Sequence, residues 1–216
     1  MVFPDVELEK KLWLSGKKYV VGIDEAGRGP LAGPVCAGAV VIDSNTEINK
    51  VVRDSKTMTA KQREETYQYI LENSLACGVC MIDSKQIDRM GIQWAVRRAM
   101  QGALAEVEKM LGKRAQYLIV DGTNVESILG YDMLKIKEGD SKHYSISCAS
   151  IIAKVTRDRY MVEISKKYPE YGFEKHKGYG TKEHMQGINE YGPCDIHRMS
   201  FSPMKDLFKK SCKNVY

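Results

Sequence analysis

The sequence lacks any uncharged apolar run long enough to cross a membrane, and its first residues, MVFPDVELEKKLW, carry charges where a secretion signal has an apolar segment. We therefore expect a cytoplasmic protein with no membrane association and with free thiols at its cysteines. Cys77 and Cys80 form a C-x-x-C pair, but no second Cys or His pair follows at zinc-finger spacing. This absence argues against a zinc site.

Internal repeats, low-complexity segments and a linker rich in Pro, Ser or Gly are also absent. The 216 residues, 43% hydrophobic and 28% charged, have the composition of one globular domain over residues 1–216. We expect its core over about residues 17–167 and a helical C-terminal segment over about residues 168–216. The net charge of +5 is compatible with a polyanionic partner.

Common nucleotide-binding and nucleophile motifs are missing as well. A proline follows Gly27-Arg28-Gly29, where a dinucleotide-binding loop would open a helix, and no Gly-Lys-Ser/Thr of a phosphate-binding loop is present there. The histidines show no nucleophile–base–acid arrangement that the sequence can identify. They are His143, His176, His184 and His197.

The hydrophobic pattern that is present predicts an α/β protein. Short apolar segments predict strands at residues 18–24, 35–42, 75–82 and 117–121, with 132–140 as a candidate fifth strand. Helical spacing predicts helices over residues 59–73, 91–111 and 142–167, one from Thr181 and one near 204–210, with a loop at 171–181. Three early strands followed by alternating helices and strands indicate a mixed central β-sheet flanked by helices.

Acidic residues end two of the predicted strands. Asp24 and Glu25 follow the first strand, Asp121 ends the fourth, and Asp140 precedes the long helix. If the first and fourth strands are neighbours, Asp24 and Asp121 lie side by side, and the acids form an oxygen-only set that suits Mg²⁺ or Mn²⁺. For any one acid a turn or surface role remains the plainer interpretation. Asp158, inside a helix, is expected to form a local ion pair.

The segment GIDEAGRGPLAGPV, residues 22–35, resembles the signature of ribonuclease HII, the type 2 ribonuclease H family. Further segments match the family in the same order: DSK at 54–56, VDG at 120–122, GD at 139–140, SIIAKVTRDR at 150–159, YGFEKHKGYGT at 171–181 and HRMSF at 197–201. The resemblance runs from about residue 17 to about residue 206. It implies a ribonuclease H-like fold with a helical, substrate-binding C-terminal extension.

The activity implied by the resemblance is that of an endonuclease acting in ribonucleotide excision and in DNA replication and repair. It would hydrolyse the RNA strand of RNA–DNA hybrids and cut 5′ to single ribonucleotides in duplex DNA, leaving a 5′-phosphate and a 3′-hydroxyl. The family pattern places its metal-binding acids, which hold two Mg²⁺ or Mn²⁺ ions, on Asp24, Glu25, Asp121 and Asp140.

The resemblance also assigns the contacts to nucleic acid. The loop Gly27-Arg28-Gly29 matches the element whose backbone contacts the ribose 2′-hydroxyl, and Tyr179 matches the tyrosine that senses the sugar at an RNA–DNA junction. Lys56 matches a position near the phosphates. His176 lies in a matched loop, where contact with substrate is an alternative to packing, whereas packing or surface exposure is expected for the other histidines.

Three alternatives remain open at this point. Ribonuclease HIII shares the acids and the glycine loop but has an added N-terminal domain, which the roughly sixteen residues before the first strand do not provide. A binding protein that has lost catalysis would lack one of the acids, and a sugar-phosphate-binding protein would use the glycine loop alone. The tail KDLFKKSCKNVY lacks a glutamine followed by paired aromatics, so we expect no sliding-clamp contact. We also expect a monomer with no obligate protein partner.

Overall fold

Apolar segments form a sheet and periodic segments form helices over residues 3–209, which a computed structural model describes. The strands are β1 (Val20–Ala26), β2 (Val35–Val41), β3 (Ala76–Ile82), β4 (Tyr117–Asp121) and β5 (Met133–Ile136). The helices are α1 (Glu7–Leu14), α2 (Ala60–Asn73), α3 (Ser84–Met90), α4 (Ile92–Leu111), α5 (Tyr144–Ser165), α6 (Phe173–His176), α7 (Lys182–Tyr191) and α8 (Met204–Lys209). Within these residues, no helix combines the length and the apolar character needed to cross a bilayer.

Strand β1 lies at the centre of a five-stranded sheet with the order β3-β2-β1-β4-β5. It pairs antiparallel with β2 and parallel with β4, while β3 extends the antiparallel side and β5 the parallel side. Val20, Val21 and Ile23 are buried, because a central strand covered on both faces needs apolar side chains on both. The predicted mixed sheet flanked by helices is confirmed.

Helix α5 packs across one face of the sheet where β1 and β2 carry no side chain. A Cβ added at Gly22 would lie 2.6 Å from the backbone nitrogen of Ile146, and one added at Gly38 would lie 3.0 Å from that of Ala153. Only glycine allows the helix backbone to approach the strands so closely. The start of α5, and with it the turn that carries Asp140, is therefore fixed beside β1.

Helix α4 covers the opposite face of the sheet and buries the apolar stripe that its helical spacing predicts. A further apolar cluster, which includes Met161, Phe173 and Met204, joins the C-terminal helices to Leu31 and Ala32. These two residues follow the Gly27–Gly29 segment after one proline. The C-terminal helices thus pack beside the glycine loop.

Local start and stop signals confirm several predicted helices. Thr59 and Gln62 form a reciprocal capping box at the start of α2, and Thr181 caps α7 by accepting the His184 N–H. Gly112 adopts a left-handed conformation with φ of 62° just after α4. Within α2, Ile70 is buried whereas Leu71 is exposed and lines an open groove.

Several boundaries differ from the prediction. The candidate fifth strand at 132–140 ends at Ile136, because Glu138 is left-handed with φ of 56° and a 3₁₀ turn follows at Gly139–Ser141. Asp140 therefore lies on a turn rather than at a strand end. The predicted loop at 171–181 contains α6, and α1 and α3 were not predicted, because short helices depend on tertiary contacts more than on their own periodicity.

Part of the C-terminal tail falls beyond the structural description. Residues 210–216, which include Cys212, lie outside the described residues, so the expected absence of a clamp contact stays a prediction. The five cysteines within residues 3–209 form no disulfide. The expected division at about residue 167 also stays a prediction.

We predict that Gly22→Ala lowers the free energy of unfolding by about 1–3 kcal/mol, because the added methyl group collides with the backbone of α5. Gly29→Ala is the matched control, since a Cβ at Gly29 meets no atom within 4 Å and the residue is exposed. Urea unfolding of both variants at one pH measures the difference. Equal stability of the two variants would contradict the close packing of α5 on β1.

Candidate active site

Carboxylates from three separate parts of the chain meet at one edge of the sheet. The parallel pairing of β1 with β4 puts Asp24 and Asp121 at the same edge, with Glu25 next to Asp24. The turn Gly139–Ser141 returns Asp140 toward them, and its first N–H donates to Asp121 Oδ1 at 2.6 Å. The structure therefore brings together the four acids that the sequence singled out.

Burial and mutual repulsion act on these carboxyl groups in the same direction. Burial raises the pKa of Asp24 well above its usual range, and the charges of Glu25, Asp121 and Asp140 raise it further. The pKa values of Glu25 and Asp121 are also raised, chiefly by burial. The acids are thus held together at a cost in electrostatic free energy that a bound cation would relieve.

Two cationic side chains already contact this group of acids. Arg28 Nη2 lies 2.8 Å from Glu25 Oε1, so the arginine of the glycine loop turns back toward the acids. Lys56 Nζ donates to Asp140 Oδ2 at 2.8 Å. Burial acts to lower the pKa of Lys56, but the hydrogen bond and charge of Asp140 raise it overall. The structure thus brings Lys56 to the predicted site.

The donor set fits a hard divalent cation. Its ligands would be carboxylate oxygens, which Mg²⁺ and Mn²⁺ prefer, and Glu25 Oε2 is buried without a hydrogen-bond partner among the described residues. Within residues 3–209, no three Asp, Glu, His or Cys side chains form a ready-made cation cage. Lys56 and Arg28 occupy part of the space around the acids, so the carboxylates would have to rearrange to share an ion.

The glycines of Gly27-Arg28-Gly29 differ in their surroundings. Gly27 has φ of +90°, and an added Cβ would collide with the Arg157 side chain. Gly29 is exposed, and an added Cβ would point into open space. Gly27 is therefore required by the fold, whereas Gly29 keeps a free surface on which a ligand can approach the backbone.

Two buried arginines that sequence reasoning missed hold this loop through its carbonyl oxygens. Arg198 donates to the carbonyls of Gly27, Arg28 and Gly33 at 2.7–3.0 Å. Arg157 donates to the carbonyl of Pro34 at 2.8 Å and to that of Ala32 at 3.2 Å.

Neither guanidinium forms an ion pair with a carboxylate within residues 3–209. Burial and, to a smaller extent, the neighbouring charge of Arg157 lower the pKa of Arg198 to about 9. Arginine is seldom fully buried, so composition gave no signal for these roles. The segments SIIAKVTRDR and HRMSF, which carry the two residues, were the available clue.

Asp158 forms the expected local ion pair, with Lys154 at 2.8 Å.

Tyr179 stands at the mouth of a cleft that continues away from the acids. With Glu25, Gly29 and Lys56 it lines a cavity of about 430 Å³. Tyr179 also lines an adjoining cavity of about 630 Å³, where basic side chains gather. They include Arg63, Lys154, Arg159, Lys175 and Lys177.

Positive charges lie close together in this adjoining cavity. Burial lowers the pKa of Lys177, the charge of Asp158 opposes that shift, and the charges of Lys154 and Arg63 add to it. The cleft therefore joins an acidic centre to a cationic groove, an arrangement suited to a polyanion whose backbone runs along the groove.

The histidines were expected to pack or to lie at the surface, with substrate contact as an alternative for His176. His184 and His197 are buried, and burial lowers the pKa of each to about 4. His176 is half-buried and bonds to the Tyr171 carbonyl at 2.7 Å. His143 is also half-buried. None of the four lies among the residues that line the cavity beside the acids.

The comparisons with known proteins agree with one another. The family model described as Ribonuclease HII matches residues 21–204. The chain is 51% identical to a ribonuclease HII of Caldicellulosiruptor bescii over 90% of this chain and 92% of that protein. It is 41% identical to one of Acholeplasma laidlawii, over 97% of this chain and 100% of that protein.

Solved structures extend the likeness to the fold. The crystal structure of the ribonuclease H2 from Pyrococcus horikoshii is 28% identical, with a TM-score of 0.74 over 90% of this chain and 99% of that one. A structure of Bst-RNase HIII in complex with Mn²⁺ is 17% identical, with a TM-score of 0.65 over 91% of this chain and 71% of that one. The expected ribonuclease H-like fold with a helical C-terminal region is confirmed.

We predict that the two buried histidines make the protein less stable as the pH falls from about 6.5 toward about 4. In this window the unfolded histidines are protonated and the folded ones are neutral, so the unfolded state binds more protons. At a pH near 5 each histidine should reduce the free energy of unfolding by about 2 kcal/mol relative to neutral pH.

The raised pKa values of the acids work in the opposite direction, so the measurement compares variants. Urea unfolding of the wild-type protein and of His197→Gln, which cannot titrate there, should show a weaker loss of stability at low pH in the variant. Parallel pH profiles would contradict a neutral, buried His197.

Proposed function

The chain belongs to the ribonuclease HII family, whose endonucleases cleave the RNA strand of RNA–DNA hybrids and leave 5′-phosphate ends, and from this premise we propose that it also incises duplex DNA 5′ to a single embedded ribonucleotide. The observation that carries the proposal is the shared cavity of Glu25, Gly29 and Tyr179. It sets an exposed glycine backbone and a half-exposed aromatic ring beside the acids. A 2′-hydroxyl is what distinguishes RNA from DNA at a given position.

Recognition would depend on the free backbone of the glycine loop. The N–H groups of Gly27, Arg28 and Gly29 make none of the hydrogen bonds found between the described residues, whereas the carbonyls of Gly27 and Arg28 are held by Arg198. Arg198 therefore holds the loop through its carbonyl oxygens, while its N–H groups can donate to a ligand. Tyr179, with 45% of its surface exposed, would pack against the sugar that follows.

Hydrolysis would take place at the four acids, with Asp24, Glu25, Asp121 and Asp140 holding two Mg²⁺ or Mn²⁺ ions. When bound, such ions supply an activated water and stabilise the leaving 3′-oxygen. The chain's own part is to orient the phosphodiester. Lys56 can exchange its carboxylate contact for a phosphate contact, because its side chain is 76% exposed.

The basic groove beyond Tyr179 supports a nucleic-acid substrate over a small ligand. Lys154 and Lys177 lie with Arg63 along a cavity that continues from the acids, and its cations outnumber its carboxylates, Glu64, Asp158 and Glu163, so a phosphate backbone would be attracted there. A sugar-phosphate-binding protein that used the glycine loop alone would have to place an anion beside four carboxylates, which repel it. That repulsion makes the alternative the weaker one.

We predict that Asp24→Asn abolishes cleavage while raising the melting temperature measured in a chelator, because the substitution removes one of four crowded charges. The assay uses a DNA duplex with one ribonucleotide and either Mg²⁺ or Mn²⁺, against an all-DNA duplex. The wild-type protein should nick the first duplex on the 5′ side of the ribonucleotide and leave the second intact.

The outcomes separate the parts of the proposal. Cleavage of a long RNA–DNA hybrid without nicking at the single ribonucleotide would support the four acids as the hydrolytic site. It would refute recognition of the junction by the glycine loop and Tyr179. Cleavage of neither substrate would favour a binding protein. A melting temperature of Asp24→Asn well below that of the wild-type protein would assign Asp24 to capping the strand end instead.

We predict that Gly29→Val loses nearly all cleavage with an unchanged melting temperature. A Cβ at this position meets no protein atom within 4 Å, but a valine side chain would cover the backbone that a 2′-hydroxyl would approach. Steady-state cleavage and thermal melting of the same preparation test both statements, with Gly29→Ala as the smaller step. Normal cleavage by Gly29→Val would refute the assignment of the loop.

A further inference from the structure

A chain of hydrogen bonds between two histidines ends on the backbone of Tyr179. The Cys194 N–H donates to His197 Nδ1 at 2.9 Å, and the Cys194 thiol also lies 3.2 Å from that nitrogen. His197 Nε2 lies 3.0 Å from His184 Nε2, and His184 Nδ1 lies 2.9 Å from the carbonyl of Tyr179. We call these two rings the histidine relay.

The direction of the relay follows from the shorter contact at each backbone end, because the Cys194 carbonyl oxygen also lies 3.3 Å from His197 Nδ1 but farther than the Cys194 N–H at 2.9 Å. A carbonyl oxygen only accepts, so His184 Nδ1 carries a proton and donates it to Tyr179. The Cys194 N–H only donates, so His197 Nδ1 is bare and its proton is on Nε2, which donates to His184 Nε2. Both rings are therefore neutral, each in one tautomer, and each ring nitrogen has a partner.

The far end of the relay is the segment that holds the glycine loop. Arg198, next to His197, donates to the carbonyls of Gly27 and Arg28, and its own N–H donates to Leu31 O at 2.7 Å. The neighbouring backbones are joined as well, because Leu31 N–H donates to Gly178 O at 2.8 Å. One dipeptide thus contacts the glycine loop directly and reaches Tyr179 through one imidazole.

We propose that His184 and His197 are positioning residues that fix Tyr179 at a set distance from the glycine loop and so favour a single embedded ribonucleotide over a continuous hybrid. This inference rests on the proposed function of Tyr179 as the reader of the junction. The junction needs the ribose and the following sugar to be read together, which requires two recognition elements in a fixed relation. A displacement of about 1 Å in such an element costs about 10²-fold in rate.

The relay is not needed to give the Tyr179 carbonyl a hydrogen-bond donor. The Thr181 N–H already donates to that carbonyl at 2.8 Å, and the Tyr179 N–H donates to the His176 carbonyl at 3.0 Å. Removing the His184 donor therefore leaves no orphaned backbone group on Tyr179. The relay adds a second attachment of the Tyr179 backbone, which links it through His184 and His197 to the segment that carries Arg198.

Two pairs of nearly isosteric substitutions separate hydrogen bonding from packing. His184→Asn keeps an N–H near the position of Nδ1. His184→Leu introduces a side chain of the same shape as asparagine but without a donor. His197→Gln keeps a donor near the position of Nε2, whereas His197→Met does not. Each is made in the full chain, alone and together with Tyr179→Ala.

The measurement is kcat/KM on a DNA duplex with one ribonucleotide and on a long RNA–DNA hybrid. We expect His184→Leu to lose at least about tenfold on the single ribonucleotide and less than about threefold on the hybrid, with His184→Asn close to the wild type on both. In the Tyr179→Ala background, His184→Leu should cost less than about twofold, because its effect passes through Tyr179. His197→Met and His197→Gln should repeat this pattern, and they decide the matter if His184→Leu does not fold.

Three results would overturn the inference. They are equal losses on both substrates, equal losses in the Asn and Leu variants, and a loss from His184→Leu that is unchanged in the Tyr179→Ala background. The proposed function fails separately, if the wild-type protein does not nick at a single ribonucleotide or if Tyr179→Ala nicks normally. In the latter case the relay holds nothing that recognition requires, and the inference falls with its premise.

Discussion

Crowding of negative charge at one edge of the sheet is the constraint on which the rest of the structure depends. Parallel pairing of β1 with β4 makes the crowding unavoidable, because both strands end in acids at that edge. Positive charges and a donated hydrogen bond partly offset this repulsion. Arg28, Lys56 and the N–H of Gly139 each contact a different carboxylate. Three of the four acids therefore have one such partner each, whereas Asp24 accepts the N–H of the adjacent Glu25 at 2.7 Å, and the electrostatic cost of the crowding remains until a cation binds.

The second level of organisation is the support behind the glycine loop. Buried guanidinium groups normally pair with carboxylates, but Arg157 and Arg198 are directed at backbone carbonyls. Carbonyl partners allow these side chains to fix a loop without adding negative charge near the acids. The same positive charges lie behind the surface where a phosphodiester would bind, so one arrangement serves both rigidity and attraction of an anion.

Sequence reasoning reached the parts of this structure that local pattern determines. The acids at the ends of the first and fourth predicted strands indicated that Asp24 and Asp121 would lie side by side if those strands were neighbours, because parallel strands end at one edge. Asp140 could be chosen only by likeness to a family pattern, because it lies on a turn that a left-handed Glu138 creates. Arg157 and Arg198 were not found, since their burial is decided by carbonyls more than 120 residues away along the chain. Such partners leave no periodicity to detect.

The position of Arg198 has a consequence for the order in which the chain is made. All four acids have been synthesised once residue 140 is added, but the residue that holds the glycine loop follows 58 positions later, at 198. A nascent chain that has the acids and β1 paired with β4 still lacks the guanidinium bonds to Gly27 and Arg28. The glycine loop therefore gains this support only after residue 198 has been added, late in translation.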